Sequence, residues 1–228
     1  MSTRLNRTEQ YLKVLPSNLN KRFKLLASLS SKLWLVKDKQ GSDMSPVLIK
    51  QGDKDSLARE WHSLQSCESH YFRQAKAWLV DDNVLVLDYV EGESLLSLDS
   101  EQAALFLYLL PQIVRAISVL HQQGWIHGDI KPSNVLFDKR YLKITLIDFG
   151  AALPINTMIS SQSSIQLTPG FSPESRSYQN HKVTEKDDWY ALWQWVLQLK
   201  KQSEQGVLTQ RESKQLARWL MWLEMKGC

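Results

Sequence analysis

Cysteine is scarce in this 228-residue sequence, with only Cys67 and Cys228 present. Two thiols cannot form a disulfide framework, and their separation gives no metal-ligand spacing. There are nine glycines and seven prolines, and no internal repeat or low-complexity block. No apolar run approaches the roughly 18–20 residues that span a bilayer. The longest candidate, Ala103 to Leu110, stops at Pro111. The first residues, Met1-Ser2-Thr3-Arg4-Leu5-Asn6-Arg7, lack the apolar core of a signal peptide. The expectation is a cytoplasmic protein without membrane association. Neither sign of charge dominates: 28 Lys and Arg against 24 Asp and Glu give a net +4. Apart from Lys21-Arg22-Phe23-Lys24 the cations are scattered. That favours an ordinary solvated surface over a nucleic-acid patch, although an acidic partner would be tolerated.

What is present is ordinary globular material, 43% hydrophobic and 23% charged. The nine tryptophans fall mostly in apolar helical patterns and are expected in the core. The first part reads as strands around one helix. Residues 32–37 and Val47-Leu48-Ile49-Lys50 have strand patterning around a Gly41-Ser42-Asp43 turn. Asp55 to Glu68 carries Leu57, Trp61 and Leu64 at helical spacing. Strands at 75–80 and 84–89 follow, joined by Asp81-Asp82-Asn83 as a hairpin. From Glu101 the pattern turns helical as far as Gln123, with Gly124 as its stop and a kink or restart expected at Pro111. Short strands at 134–137 and 144–147, a polar loop, and helices at 187–201 and 209–226 complete the chain. The expected fold class is α+β: a strand-rich lobe at 23–90 after an N-terminal extension at 1–22, then a mainly helical lobe at 91–228.

The densest chemical signal is His127-Gly128-Asp129-Ile130-Lys131-Pro132-Ser133-Asn134. Fourteen residues after Asn134 comes Asp148-Phe149-Gly150, behind a strand. Phosphoryl transfer needs a carboxylate to receive the acceptor hydroxyl, metal ions on the phosphates, and cations to hold them in line. Asp129 suits the base, Lys131 the transferred phosphoryl group, and the Asn134 and Asp148 oxygens suit Mg²⁺. Either tripeptide alone would be weak; together, each beside a strand, they are specific.

These residues resemble the eukaryotic-like protein kinase superfamily over about residues 20–200. The resemblance implies a bilobal fold with a five-stranded N-lobe, and ATP with Mg²⁺ as cofactors. It further implies phosphoryl transfer to a serine or threonine of a protein substrate. Lys50 takes the place of the lysine on the α- and β-phosphates, paired with Glu60; Glu68 is the rival for that pairing. The backbones of Asp88 and Val90 would meet adenine, Leu87 is the gatekeeper, and Leu136 joins the nucleotide site. Thr168-Pro169-Gly170-Phe171-Ser172-Pro173-Glu174 resembles the end of an activation segment. Asp188 resembles the aspartate that holds the catalytic-loop backbone.

Three departures stand out. Leu26-Ala27-Ser28-Leu29-Ser30-Ser31-Lys32 takes the place of the phosphate-covering loop without a glycine, leaving Ser28 and Ser31 as donors. Gly128 replaces the arginine that reads a phosphate on the activation loop, so residues 151–167 read as a flexible polar loop rather than a phospho-switch. The region after Asp188 is short, similar to that of the RIO kinases and the small kinase of the tRNA threonylcarbamoyl-modification complex. Small-molecule phosphotransferases and a nucleotide-binding partner protein without catalysis remain as alternatives.

Overall fold

A computed structural model describes residues 15–40, 45–97, 103–203 and 208–227. They form two compact units, residues 15–57 with 74–89 and residues 58–73 with 90–227.

In the first unit, strands β1 (Phe23–Ser30), β2 (Leu33–Asp38), β3 (Val47–Gln51), β4 (Ala75–Leu79) and β5 (Val84–Asp88) make one antiparallel sheet. Its order is β1-β2-β3-β5-β4, so the five expected strands are present. Val84 to Leu87 are all buried, as befits an interior strand made of β-branched and leucine residues. Trp34, Val36, Val47, Ile49, Val84 and Val86 pack with Phe23, Leu15 and Leu19. Residues 15–22 therefore contribute to this core instead of extending from it. The β4–β5 connection is a short 3-10 turn, Val80–Asp82. Asn83 closes it at φ 51°, in the left-handed region that asparagine tolerates better than most residues.

Helix α1 (Lys54–Ser66) starts in the first unit and passes into the second at Ala58. The sequence reading assigned the whole helix to the strand-rich lobe. Residues 71–73 explain the difference, because they bond to the second unit: Leu146 N donates to Tyr71 O at 2.7 Å and Arg73 N to Leu146 O at 3.2 Å.

The second unit is built on α2 (Ala103–Gln122), which packs against α3 (Glu185–Ser203) and α4 (Gln210–Met225). The first residues expected in α2, 101 and 102, lie outside the described set. Pro111 neither starts nor ends α2; it sits exposed within it. The apolar stretch consequently runs on, and Ala104–Gln122 is long and apolar enough to cross a membrane. That corrects the expectation that no run approaches such a length. Half of the window is buried within this fold, the pattern of a core helix. Gly124, at φ +83°, ends the helix as expected.

Strands β6 (Glu93–Ser94), β8 (Val135–Asp138) and β9 (Lys143–Leu146) form a small sheet, and β7 (Trp125–Ile126) pairs with β10 (Leu153–Pro154). All nine tryptophans are buried or half-buried, as expected. Trp195 lies 4.6 Å from Phe106, and Trp189 5.6 Å from Trp222, between ring centroids.

The segment 151–167 departs most from its reading as a flexible polar loop. Ile159 is buried with Ile126, Leu153 and Val183, and Ile155 and Ile165 pack against them. Backbone bonds fasten it from both sides: Ile155 N to Gly124 O, Asn156 N to Val183 O and Ile159 N to His181 O, at 2.8–2.9 Å. Three isoleucines among the serines and threonines anchor what the polar majority suggested was free.

Candidate catalytic site

The catalytic loop is shaped from behind by a carboxylate. Asp188, in the first turn of α3 and 1% exposed, accepts the backbone N–H of His127 on Oδ2 and that of Gly128 on Oδ1, both at 2.8 Å. His121 Nε2, from the last turn of α2, lies 2.9 Å from Asp188 Oδ2. Burial pushes the Asp188 carboxyl up, but the hydrogen bond and charge of His121, with those of His127, more than offset it. The group sits below the ordinary carboxylate value. His127 turns inward, its Nδ1 accepting from Asp129 N at 3.3 Å and its Nε2 lying 3.1 Å from Ile147 O.

This bracing presents Asp129, 3% exposed, with both carboxylate oxygens in use. Oδ1 accepts Thr168 Oγ1 at 2.6 Å. Oδ2 takes Asn134 Nδ2 at 2.9 Å, Gln166 Nε2 at 3.0 Å and Lys131 Nζ at 2.7 Å. Lys131 Nζ also donates to Thr168 Oγ1 at 3.0 Å. A base, a cation and a hydroxyl thus form one triangle. Ser172 Oγ, accepting Thr168 N at 2.9 Å, fixes the backbone of the threonine.

The β8–β9 hairpin brings the two candidate metal ligands to one end. Val135 pairs with Leu146 in register, and Ile147 N donates to Asn134 O at 3.0 Å. Asn134 and Asp148 therefore follow one another at the same mouth. With Asn134 Nδ2 committed to Asp129 O and Oδ2, its amide oxygen accepts from Ser133 Oγ at 3.3 Å and keeps a second lone pair for a metal ion. Asp148 is held at φ 64°. A non-glycine residue in that region costs free energy and is concentrated at functional sites. One carboxylate and one amide, with phosphate oxygens to complete the shell, fit the coordination habit of Mg²⁺.

The remaining predicted residues divide between the units. In the second, Glu60 is 1% exposed, whereas Glu68 is exposed, with Gln123 bonded to its backbone. A buried glutamate implies a partner. Leu136 is half-buried on β8, and Val90 is half-buried just beyond β5. In the first unit, Lys50 is half-buried on β3, opposite Leu33 and Leu85. The Asp88 N–H donates to Gln74 O at 2.9 Å, so any backbone bond from Asp88 to adenine runs through its carbonyl.

The stretch 26–32 is not a loop. β1 continues to Ser30, and the connection to β2 is the two-residue turn Ser31-Lys32, with register shifts at 25/27 and 28/30. Ser28 Oγ donates to Ser30 O, and Ser30 Oγ accepts Lys32 N, both at 3.2 Å. The serine hydroxyls close the turn that glycine's freedom would otherwise serve.

Sequence reading missed four residues at this site. Gln166 has no motif around it. Arg59, beside Glu60, donates from Nε to Gly150 O at 2.7 Å and from Nη1 to Ser164 O at 3.3 Å. His121 is the third. Arg176, 2% exposed, donates from Nη1 to Gly128 O. That bond gives the glycine its reason. Gly128 has φ +76°, and a Cβ there would collide with Ala151 O and meet the Arg176 guanidinium at 3.1 Å.

The model of the protein kinase domain matches residues 36–218 of the chain. The chain belongs to the protein kinase domain family. This kinase domain is 32% identical to human serine/threonine-protein kinase MRCK gamma over 142 residues, 52% of the chain and 9% of that protein. Mouse MRCK alpha is 34% identical over 161 residues, 58% of the chain and 9% of the relative. Human myotonin-protein kinase is 32% identical over 136 residues, 56% of the chain and 22% of the relative. The kinase domain thus spans a small part of the curated relatives it matches. Among solved structures, the Cydia pomonella granulovirus kinase PK-1 superposes with TM-score 0.59 at 23% identity. The match covers 82% of this chain and 70% of that one, and bears on the fold.

Proposed function

We propose that this kinase domain transfers the γ-phosphoryl group of Mg-ATP to a serine or threonine hydroxyl of a protein, in the cytoplasm. The observation that carries the reading is the Asp129–Lys131–Thr168 triangle, in which a hydroxyl already donates to the base at 2.6 Å with an ammonium 3.0 Å away. An acceptor hydroxyl needs the same two neighbours, one to orient it and receive its proton, one to balance charge on the phosphoryl oxygens.

In this mechanism Asp129 orients the acceptor and takes its proton. Its oxygens are aimed by Asn134 and, through the backbone, by Asp188. Lys131 holds charge beside the transferred group. Asn134 and Asp148 would hold Mg²⁺, which when bound neutralises phosphate charge. Lys50, oriented by Glu60, is assigned to the nucleotide phosphates, and the Asp88 carbonyl, Val90 and Leu136 to the base. The similarity to serine/threonine-protein kinases supports a protein acceptor over a small molecule.

The test uses labelled Mg-ATP with a general protein substrate and, separately, small hydroxylated acceptors. Label is expected on the protein. Asp129→Ala should abolish transfer while keeping nucleotide binding by calorimetry; Asp148→Ala should abolish transfer and weaken Mg-dependent binding. Equal loss of nucleotide affinity in both would refute the separation of roles, and label only on small acceptors would refute the substrate class.

A further inference from the structure

On α4, Arg211, Lys214 and Arg218 recur at i, i+3 and i+7, followed at the same spacing by Met221 and Met225. At 3.6 residues per turn these five positions fall within an arc of about 80°, along about 21 Å of helix. Leu216, Leu220 and Leu223, the buried residues of α4, lie on the opposite side. The stripe faces solvent: Arg211, Lys214 and Arg218 are exposed, Met221 is 64% and Met225 79% exposed. An open depression of about 580 Å³ is lined by Gln210, Arg211, Lys214, Gln215 and Arg218.

Two features set this face apart from an ordinary solvated one. The stripe contains no acidic residue, and none of its three cations has an ion pair among the described residues. Glu212 instead closes the Thr209 capping box. Like charges at i, i+3 and i+7 repel, and Arg211 stands in the first turn, where the helix dipole disfavours a cation. Local preference is thus violated without a compensating ion pair among the described residues. Beside the cations lie two exposed methionines, the adaptable apolar side chain of binding surfaces.

We propose that the outer face of α4 docks a helical segment of a partner protein. The segment bears acidic residues at i, i+3 or i+4, and i+7, with apolar residues in the adjoining turns. Charge complementarity fixes the acidic half and the methionine pair the apolar half. The regular spacing along one helix favours a helical occupant. No aromatic residue lines the depression itself, whereas single-strand nucleic-acid sites set stacking platforms among their cations.

The experiment is selection from a displayed library of helical peptides, varied at all surface positions, against the full chain. Selected sequences should be enriched in Asp and Glu at that spacing and in Leu, Ile or Met beyond them. Their binding should weaken with added salt. It should fall by roughly tenfold or more in the Arg211→Glu, Lys214→Glu, Arg218→Glu triple variant, as expected when complementary charges become repulsive. Met221→Ser with Met225→Ser should also weaken it, while the melting temperature and labelling of a general substrate stay at wild-type values. Several results would each overturn the proposal: peptides without acidic enrichment, binding indifferent to both variants, or no selected binder. Tighter retention by the same cations of an oligonucleotide or an anionic phosphatidylserine vesicle would also overturn it, assigning the face to another class of partner.

Discussion

Asp129 carries four side-chain neighbours on two oxygens, and they are not equivalent. Asn134 and Lys131 belong to the loop that carries the base, and Thr168 is fixed by Ser172. Gln166 has no such tie among the described residues, and it occupies Oδ2, which an acceptor hydroxyl would need under the proposed function. A hydrogen bond to a charged group is worth about 1.5–3 kcal/mol net, on the order of ten- to a hundredfold in rate or affinity. Gln166→Ala should therefore raise kcat/KM for a protein substrate by about that factor. Gln166→Glu should lower it, by setting a second carboxylate against the base. Steady-state kinetics on the two variants separate competition by Gln166 from support: a fall in both would mean that the amide steadies Asp129. Gly128 makes a different case at the same scale. Restoring an arginine there, as regulated kinases have, should not yield a phosphate-dependent enzyme. Gly128→Arg adds a Cβ against Ala151 O at φ +76°, which costs on the order of 2 kcal/mol or more before any charge is considered. Thermal unfolding should register the loss, with Gly128→Ala showing most of it, and activity should fall in both.

Among the elements, legibility followed the strength of local pattern. Interior strands such as β5 declare themselves by unbroken apolar residues, and α3 and α4 by tryptophan and leucine at helical spacing. His127 to Asn134 and Asp148 to Gly150 were legible because their residue types have few other reasons to stand at that distance. Four kinds of feature were not. Residues 26–32 read as a loop because they take the place of the phosphate-covering loop, yet strand pairing with β2 carries β1 to Ser30. The isoleucines at 155, 159 and 165 are too few and too irregular for any period, so their anchoring shows only once Ile126 and Val183 are beside them. Pro111 argued for an interruption of α2 that packing overrode. Gln166, Arg59 and Arg176 act on the site across 37 to 91 positions of sequence, beyond the reach of a local motif.

At the scale of the molecule, the two adjacent aspartates of α3 pull the pH dependence of stability in opposite directions. Asp188, lowered in the folded state, contributes stability present above the ordinary carboxylate range and lost as pH falls through its folded value. Asp187 is raised, chiefly by burial and against the pull of His181. Its contribution has the other sign, complete below the unfolded value and lost as pH rises through the folded one. Asp188→Asn should therefore flatten the loss of stability between about pH 5 and about pH 3. It should also lower stability near neutrality by on the order of 3 kcal/mol, as removal of one member of a buried pair does. Urea unfolding across that range checks both, and an unchanged acid slope would show that another carboxylate governs it.

The grip of Asp188 on the amides of His127 and Gly128 has a consequence for how the protein comes into being. The shape of the catalytic loop is not written in the loop; it is imposed by a residue 60 and 61 positions later. During synthesis, every residue assigned to nucleotide, metal and base is made before the start of α3. A nascent chain in that interval holds those groups without the means to aim them, and gains that means only when α3 arrives.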